Sequence, residues 1–346
     1  MRADGLPRQR YRPRLHVEVA SQLGLALAFA AGLWCVAVPR AAWVTALGAV
    51  LLVSVAVQAV LLFHDCMHQA AFGDRRVETW VARAIGAFYG CPFHFLRAEH
   101  IRHHRHAGLV DGDPEALHLH EADAARRPHG RLLARLGRRW TGAFAYTWIL
   151  QLGSFARFAR RQLQRVDDPA LVRATLVDLG CMVALWVPLT LFLAAHGAYL
   201  RVLVFAFAIP AVVGLALVYA AAKPLHTLMI PYRLERSSYA ERQLCVTRTF
   251  ETHPLVAFFL CNLNYHIEHH LYPHVSRWDL PRLARALRPS LVELARAKNL
   301  PLAVHDGYTS FARASTPTYN PIGDLAAWGE ENRGFRYTHF HAPRGP

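Results

Sequence analysis

Long uncharged stretches alternate along this chain with polar ones that carry arginine and histidine. Residues 19–38 hold no charge, nor do residues 41–63, and Pro39-Arg40 is the break between them. Each run reaches the ~20 residues a helix needs to cross ~30 Å of hydrocarbon. The pattern predicts two antiparallel spans joined by a tight turn. A second pair follows at 179–195 and 202–222, connected through 196–201. Pro188 and Pro210 interrupt these runs, which a membrane bundle tolerates because neighbouring helices satisfy the freed backbone groups. The uncharged run 141–156 is too short to span and is read as re-entrant or interfacial.

Between and after the pairs the pattern changes. Segment 80–96 is apolar but broken by Arg83, Gly90 and Pro92, and predicts an interfacial helix followed by a loop. Segment 115–139 is a polar, basic excursion. In 281–297, Leu283, Leu287, Leu291 and Leu294 recur at helical spacing with arginines between them, the mark of an amphipathic surface helix. From His305 onward, Gly, Pro, Ser and Thr predict mostly loop.

Composition agrees with a membrane protein: 53% of the 346 residues are hydrophobic and only 18% charged. The formal net charge of +15 would suit a polyanion, but its placement gives it another cause. Segments 1–16, 64–178 and 223–346 carry nearly all the Lys and Arg, while the two short turns carry Arg40 and Arg201. By the positive-inside rule those three segments are cytoplasmic, so no nucleic-acid partner is called for. The expected fold is an all-α integral membrane protein, with four transmembrane helices in two hairpins under a cytoplasmic helical cap. As one domain it comprises an arm (1–16), a first hairpin (17–63), a cytoplasmic segment (64–178), a second hairpin (179–222), a further cytoplasmic segment (223–303) and a tail (304–346). The basic N-terminus precedes a full-length apolar run, so no cleavable signal peptide is expected. Six cysteines without a C-x-x-C pair read as small buried hydrophobes.

The candidate chemistry lies in the polar segments. His64 and His68 stand four apart where the second span ends. His100, His103 and His104 repeat at i, i+3, i+4, and so do His266, His269 and His270. That spacing puts each group on one helix face. Structural histidines need no such pattern, whereas a metal wants several neutral nitrogens converging on one point. One metal takes four to six ligands, so eight histidines on one side of the membrane imply two metals. A nitrogen set suits iron, copper or zinc; zinc has no redox chemistry, and the H-E-x-x-H hydrolase register is absent around Glu268.

His64–His68, His100–His104 and His266–His270 resemble the three histidine boxes of the membrane fatty-acid desaturase and hydroxylase superfamily. The stretch Asn-Leu-Asn-Tyr-His-Ile-Glu-His-His-Leu-Tyr-Pro, residues 262–273, is similar to its third box, and residues 246–250 and Leu280-Pro281 fit as well. The resemblance implies a non-haem di-iron centre that uses O₂ and two external electrons on an unactivated C–H bond. It also implies a ninth ligand near the end of the fourth span, a role that falls on His226. Where the animal acyl-CoA branch has an asparagine one turn earlier, this chain has Ala222, and its first box has three intervening residues rather than four. Metal-bound histidines give their other N–H to an acceptor, and Asp65, Glu99, Asp113, Asn264 and Glu268 are the candidates for that outer layer.

The activity implied is acyl-chain desaturation, with carotenoid ketolation or hydroxylation and acyl hydroxylation as alternatives on the same centre. The substrate is then a membrane lipid or an acyl chain on a carrier. No fused haem-binding or iron–sulfur element is visible, so a separate ferredoxin or cytochrome is expected as donor. Arg126, Arg127, Arg131, Arg135, Arg138 and Arg139 are candidates for docking it. The protein is expected to be multi-pass, with both termini and the active site cytoplasmic.

Overall fold

A computed structural model describes residues 13–37, 41–107, 113, 168–226, 238–300 and 302–307. The basic arm before Pro13, the excursion 115–139 with its arginines, the run 141–156 and the tail beyond Gly307 lie outside the described residues.

The described chain is mostly helical, and four of its helices are long and apolar enough to cross a membrane. α1 covers Leu15–Ala37 and α2 covers Ala42–His68. They pack backbone to backbone. A Cβ on Gly32 would come within 2.7 Å of Leu52 Cγ, and one on Gly48 within 2.6 Å of Cys35 Cβ, so this approach needs glycine on both sides. α2 does not stop where the uncharged run ends at Phe63. It continues through His64 and His68, and its 27 residues rise about 40 Å, some 10 Å more than the hydrocarbon is thick.

α3 (Arg75–Tyr89) starts on Asp74, whose carboxylate accepts from the Arg76 and Val77 amides, and ends on Gly90 in the left-handed region at φ 73°. The expected loop after this helix is only three residues long, and the chain is helical again as α4 (Phe93–His106). Pro92 at the cap is compatible with a new helix, so proline here marks a start and not the beginning of a loop. A Cβ on Gly86 would run into the Cys91 carbonyl, which shows how tightly the corner is folded.

α5 (Pro169–Ala195) begins well before the expected boundary at 179. Charge was the reason for that boundary, but Asp178 is buried against Arg83 Nε at 2.9 Å and the His94 amide at 2.7 Å, so the helix runs straight through it. α6 (Tyr199–Val202), a π-turned stretch (Leu203–Ala208) and α7 (Ile209–His226) follow without a break. The wider π turns come just before Pro210, whose ring would otherwise press on the carbonyl four residues back.

α8 (Tyr239–Val246) opens with a reciprocal capping box between Ser238 and Glu241. β1 (Thr249–Glu251) pairs in parallel with β2 (Val304–Asp306). Between them lie α9 (Pro254–Phe259), α10 (His266–Leu271) and the amphipathic α11 (Leu280–Lys298). Leu244, Ile267, Leu271, Leu283, Leu287 and Leu291 form the core that fixes α10 between α8 and α11. A separate core of Leu62, Phe63, Cys66, Ala82 and Phe93 ties the end of α2 to α3 and α4. All six cysteines are free thiols.

Candidate metal centre

Four elements converge on one place. The last turn of α2 brings His64 and His68, α4 brings His100, His103 and His104, the end of α7 brings His226, and α10 brings His266, His269 and His270. A helix as short as α10 is marginal alone and is held by its neighbours. Thr249 Oγ1 accepts from the Ile267 amide at 3.2 Å, and Tyr239 Oη donates to the His270 carbonyl at 2.6 Å. Asn264 reaches back to β1, its Nδ2 donating to the Phe250 carbonyl at 2.7 Å.

The imidazoles sort into two groups. One nitrogen from each of His64, His68, His100, His104 and His269 lies within 4.8 Å of the others, and so it is for His103, His226 and His270. His266 joins the second group, its Nε2 facing His226 Nε2 at 2.7 Å. In the first group, His104 Nε2 faces His100 Nε2 at 3.1 Å. The two groups adjoin through His104 and His270, whose rings stack at 4.0 Å between centroids.

In the second group three outer ring nitrogens are anchored, while His266 Nδ1 is buried without a hydrogen-bond partner among the described residues. His103 Nδ1 lies 2.8 Å from Asp113 Oδ1, His226 Nδ1 2.8 Å from the Val246 carbonyl, and His270 Nδ1 2.8 Å from Gln243 Oε1. Gln243 also donates from Nε2 to the His104 carbonyl at 3.1 Å, so one side chain braces α4 and α10 together. Each bond to Nδ1 leaves Nε2 as the nitrogen available to a metal.

The five outer-layer candidates divide. Asp113 touches a histidine ring. Asp65 sits 3.4 Å from His64 Nδ1 and 3.5 Å from Arg277 Nε. Glu268 accepts from Thr249 Oγ1 at 2.6 Å, and Asn264 holds β1 as described, so these two shape the backbone around α10. Glu99 is buried beside His100. His94, which lacks box spacing, pairs with Asp178 at 3.0 Å, away from both groups.

Gln243 escaped the sequence reading, and Thr249 entered it only within the run 246–250, with no role of its own. Neither has a spacing relation to a histidine, and the one available signal was a polar residue on the inward face of a short capped helix or strand.

Burial keeps these rings neutral. His104, His266, His269 and His270 all have pKa values well below the ordinary histidine range, first through desolvation and then through the neighbouring imidazoles. A neutral ring is the form that ligates metal. The Nε2 atoms of His68, His269 and His270 are buried and have no hydrogen-bond partner among the described residues. Unpaired buried nitrogens carry a desolvation cost of about 1–3 kcal/mol each, and several aimed together suit a cation that takes nitrogen donors. The donor set fits two such ions.

Comparison with known proteins gives the same direction. Residues 41–299 match the family described as fatty acid desaturase. The acyl-lipid (9-3)-desaturase of Borago officinalis is 21% identical over 339 residues, covering 91% of this chain and 71% of the relative. A Delta(5) fatty acid desaturase of Caenorhabditis elegans is 36% identical over 75 residues, covering 22% of this chain and 16% of the relative.

Proposed function

Because the chain belongs to the fatty acid desaturase family, and is thereby an oxidoreductase of a membrane, we propose that it introduces a double bond into a membrane-embedded acyl chain at a non-haem di-iron centre. The observation that carries the reading is the pair of imidazole groups at the end of a candidate membrane span. In this reading His64, His68, His100, His104 and His269 hold one iron, and His103, His226, His266 and His270 the other. When bound, the irons supply the O₂ activation that no side chain can. Two C–H bonds of the acyl chain are broken, and O₂ leaves as two waters after accepting the two C–H hydrogens, two external electrons and two protons.

The residues themselves orient and exclude. Asp113, Gln243 and the Val246 carbonyl fix three rings so that Nε2 points inward. A small, mostly apolar cleft lined by Leu61, Val218, Ala222, Leu225, Leu260 and Leu263, with Asn264, borders α7 one residue before His226 and keeps that side of the centre dry. The four spans are read as two hairpins, with the histidine-bearing helices as a cap on the cytoplasmic side and both termini there. A separate ferredoxin or cytochrome supplies the electrons.

Expression in a host that makes both unsaturated lipids and carotenoids, with lipid and pigment profiles by mass spectrometry, tests the reading. New double bonds in acyl chains are the expected result. Hydroxylated acyl chains or oxygenated pigment with an unchanged acyl profile would replace it with the alternative chemistry.

A further inference from the structure

Helix α9 reads Pro-Leu-Val-Ala-Phe-Phe and belongs to a segment whose charges predict the cytoplasm. Its surface does not suit water. Leu255, Val256, Phe258 and Phe259 are 58%, 43%, 50% and 48% exposed, four large apolar side chains within five consecutive residues. Scattered exposed apolar residues are ordinary, but a contiguous set marks a contact surface.

The contacts of α9 locate it along α2. Gln58 Nε2 donates to the Phe259 carbonyl at 2.8 Å, and Gln58 Oε1 accepts from the Cys261 thiol at 3.0 Å. Gln58 lies inside the uncharged run of α2, five residues before its end at Phe63, which is about 7–8 Å of helix rise below that end. The C-terminus of α9 is therefore level with hydrocarbon, within the ~5–10 Å depth that interfacial helices reach. A polar side chain in a membrane span needs a reason, and satisfying a helix end at that depth is one. The chain turns back directly, through Cys261 and Asn262 at φ 49° and 57°. Asn262 Nδ2 donates to the Arg277 carbonyl at 3.0 Å, and the Trp278 ring stands 6.0 Å from that of Phe258, where an interfacial tryptophan belongs.

We propose that α9 dips into the leaflet on the side of the histidine groups, with Leu255, Val256, Phe258 and Phe259 in contact with the acyl chains of bilayer lipid. The surface is continuous with that of the spans, because Gln58 joins α9 to α2 and the next residue, Leu260, lines the cavity shared with α2 and α7. The wedge thus adjoins the cleft that α7 borders at Leu225, the residue before His226. Its membrane contact does not depend on what reaction the centre performs.

The test uses the full chain, without added iron, in phosphatidylcholine nanodiscs, with photoreactive benzoylphenylalanine in place of Phe258 or, separately, of Leu255 or Arg285. Illumination is expected to attach a lipid through its acyl chain at 258 and 255, seen as a one-lipid mass increase, and at least tenfold less at 285 on α11. Adducts to a second copy of the chain at 258 and 255, or no lipid adduct at either, would overturn the proposal. Either outcome leaves the desaturase reading standing. Gln58→Leu strands the Phe259 carbonyl and is expected to lower the adduct yield at 258; an unchanged yield would remove Gln58 from the argument.

Discussion

The two imidazole groups are built from the same residue type and differ in the hydrogen bonds behind their rings. In the smaller one, three rings are fixed from behind by a carboxylate, a backbone carbonyl and an amide oxygen, each at 2.8 Å. In the larger one, His104 Nδ1 has no hydrogen-bond partner among the described residues, and the carboxylate nearest to His64 Nδ1 stands at 3.4 Å. Its rings also pack on each other, His68 and His104 at 4.4 Å between centroids and His64 and His100 at 4.6 Å, as closely as those of the smaller group. Three rings of the smaller group are oriented by hydrogen bonds from α8 and from Asp113, while the larger group sits where α2 packs against α4. The difference predicts that the smaller group responds to substitutions behind the rings, and the larger to substitutions of the rings themselves.

Removing a ring tests the partition most severely. His226→Ala takes one of four nitrogens from the smaller group, and His68→Ala one of five from the larger. On the proposed di-iron reading, in which both irons serve one reaction, each is expected to lower iron from about two to about one per chain and to abolish desaturation. Metal analysis of the purified variants checks it. A chain that keeps two irons after His226→Ala would place the ninth ligand elsewhere.

Substitutions behind the rings sharpen the contrast. Asp113→Asn replaces a charged acceptor at His103 with a neutral amide, and Gln243→Leu removes both the acceptor at His270 and the brace to the His104 carbonyl. Losses of about 10–100-fold in metal affinity are typical for such outer contacts. For Asp113→Asn the loss is expected at one of two sites in a metal titration with the other unchanged, and for Gln243→Leu it is expected to be larger at the smaller group than at that of His104. A loss shared equally by both would mean that the groups are one mechanical unit.

Much of this was legible beforehand because helix geometry writes itself into spacing. The i, i+3, i+4 pattern puts His100, His103 and His104 on one face, and the ends of the uncharged runs put His64, His68 and His226 at the ends of α2 and α7. Bonds to partners far along the chain leave no such trace. Gln243 and His270 are 27 residues apart, and the acceptor for His226 is a carbonyl that any residue at 246 would offer. The uncharged run begins after Asp178 but the helix does not, because Arg83 and His94 stand beside that carboxylate and let α5 run through it.

Acid should affect the apo chain through both groups. His104, His266, His269 and His270 have folded-state pKa values pushed well below 6.5 by burial and by one another. Unfolding then takes up protons whenever the pH is below about 6.5, the unfolded value. Stability is full above that pH and falls steadily as the pH drops toward the lower folded-state values. Thermal melts of the iron-free protein between pH 7.5 and 5 are expected to show the midpoint falling, with the slope reduced in His269→Gln. Iron should flatten the curve, since a metal-bound nitrogen cannot take a proton.

The smallest effect is expected at Asp65, although it adjoins a box histidine in sequence and looks like the partner Asp113 is in fact. Its carboxylate is 3.4 Å from the His64 ring at a poor hydrogen-bonding distance, and its other oxygen faces Arg277 at 3.5 Å. Arg277 Nη2 pairs more closely with Glu18, at 2.6 Å, and Glu18 also accepts from the Trp278 indole at 2.8 Å. Asp65→Asn keeps the shape and leaves that stronger pair intact, so metal affinity at the larger group should change by no more than about threefold, against the 10–100-fold expected for a true outer partner. If Asp65→Asn instead matched Asp113→Asn in a metal titration, both groups would be tuned by carboxylates and the contrast drawn from the ring contacts would fail.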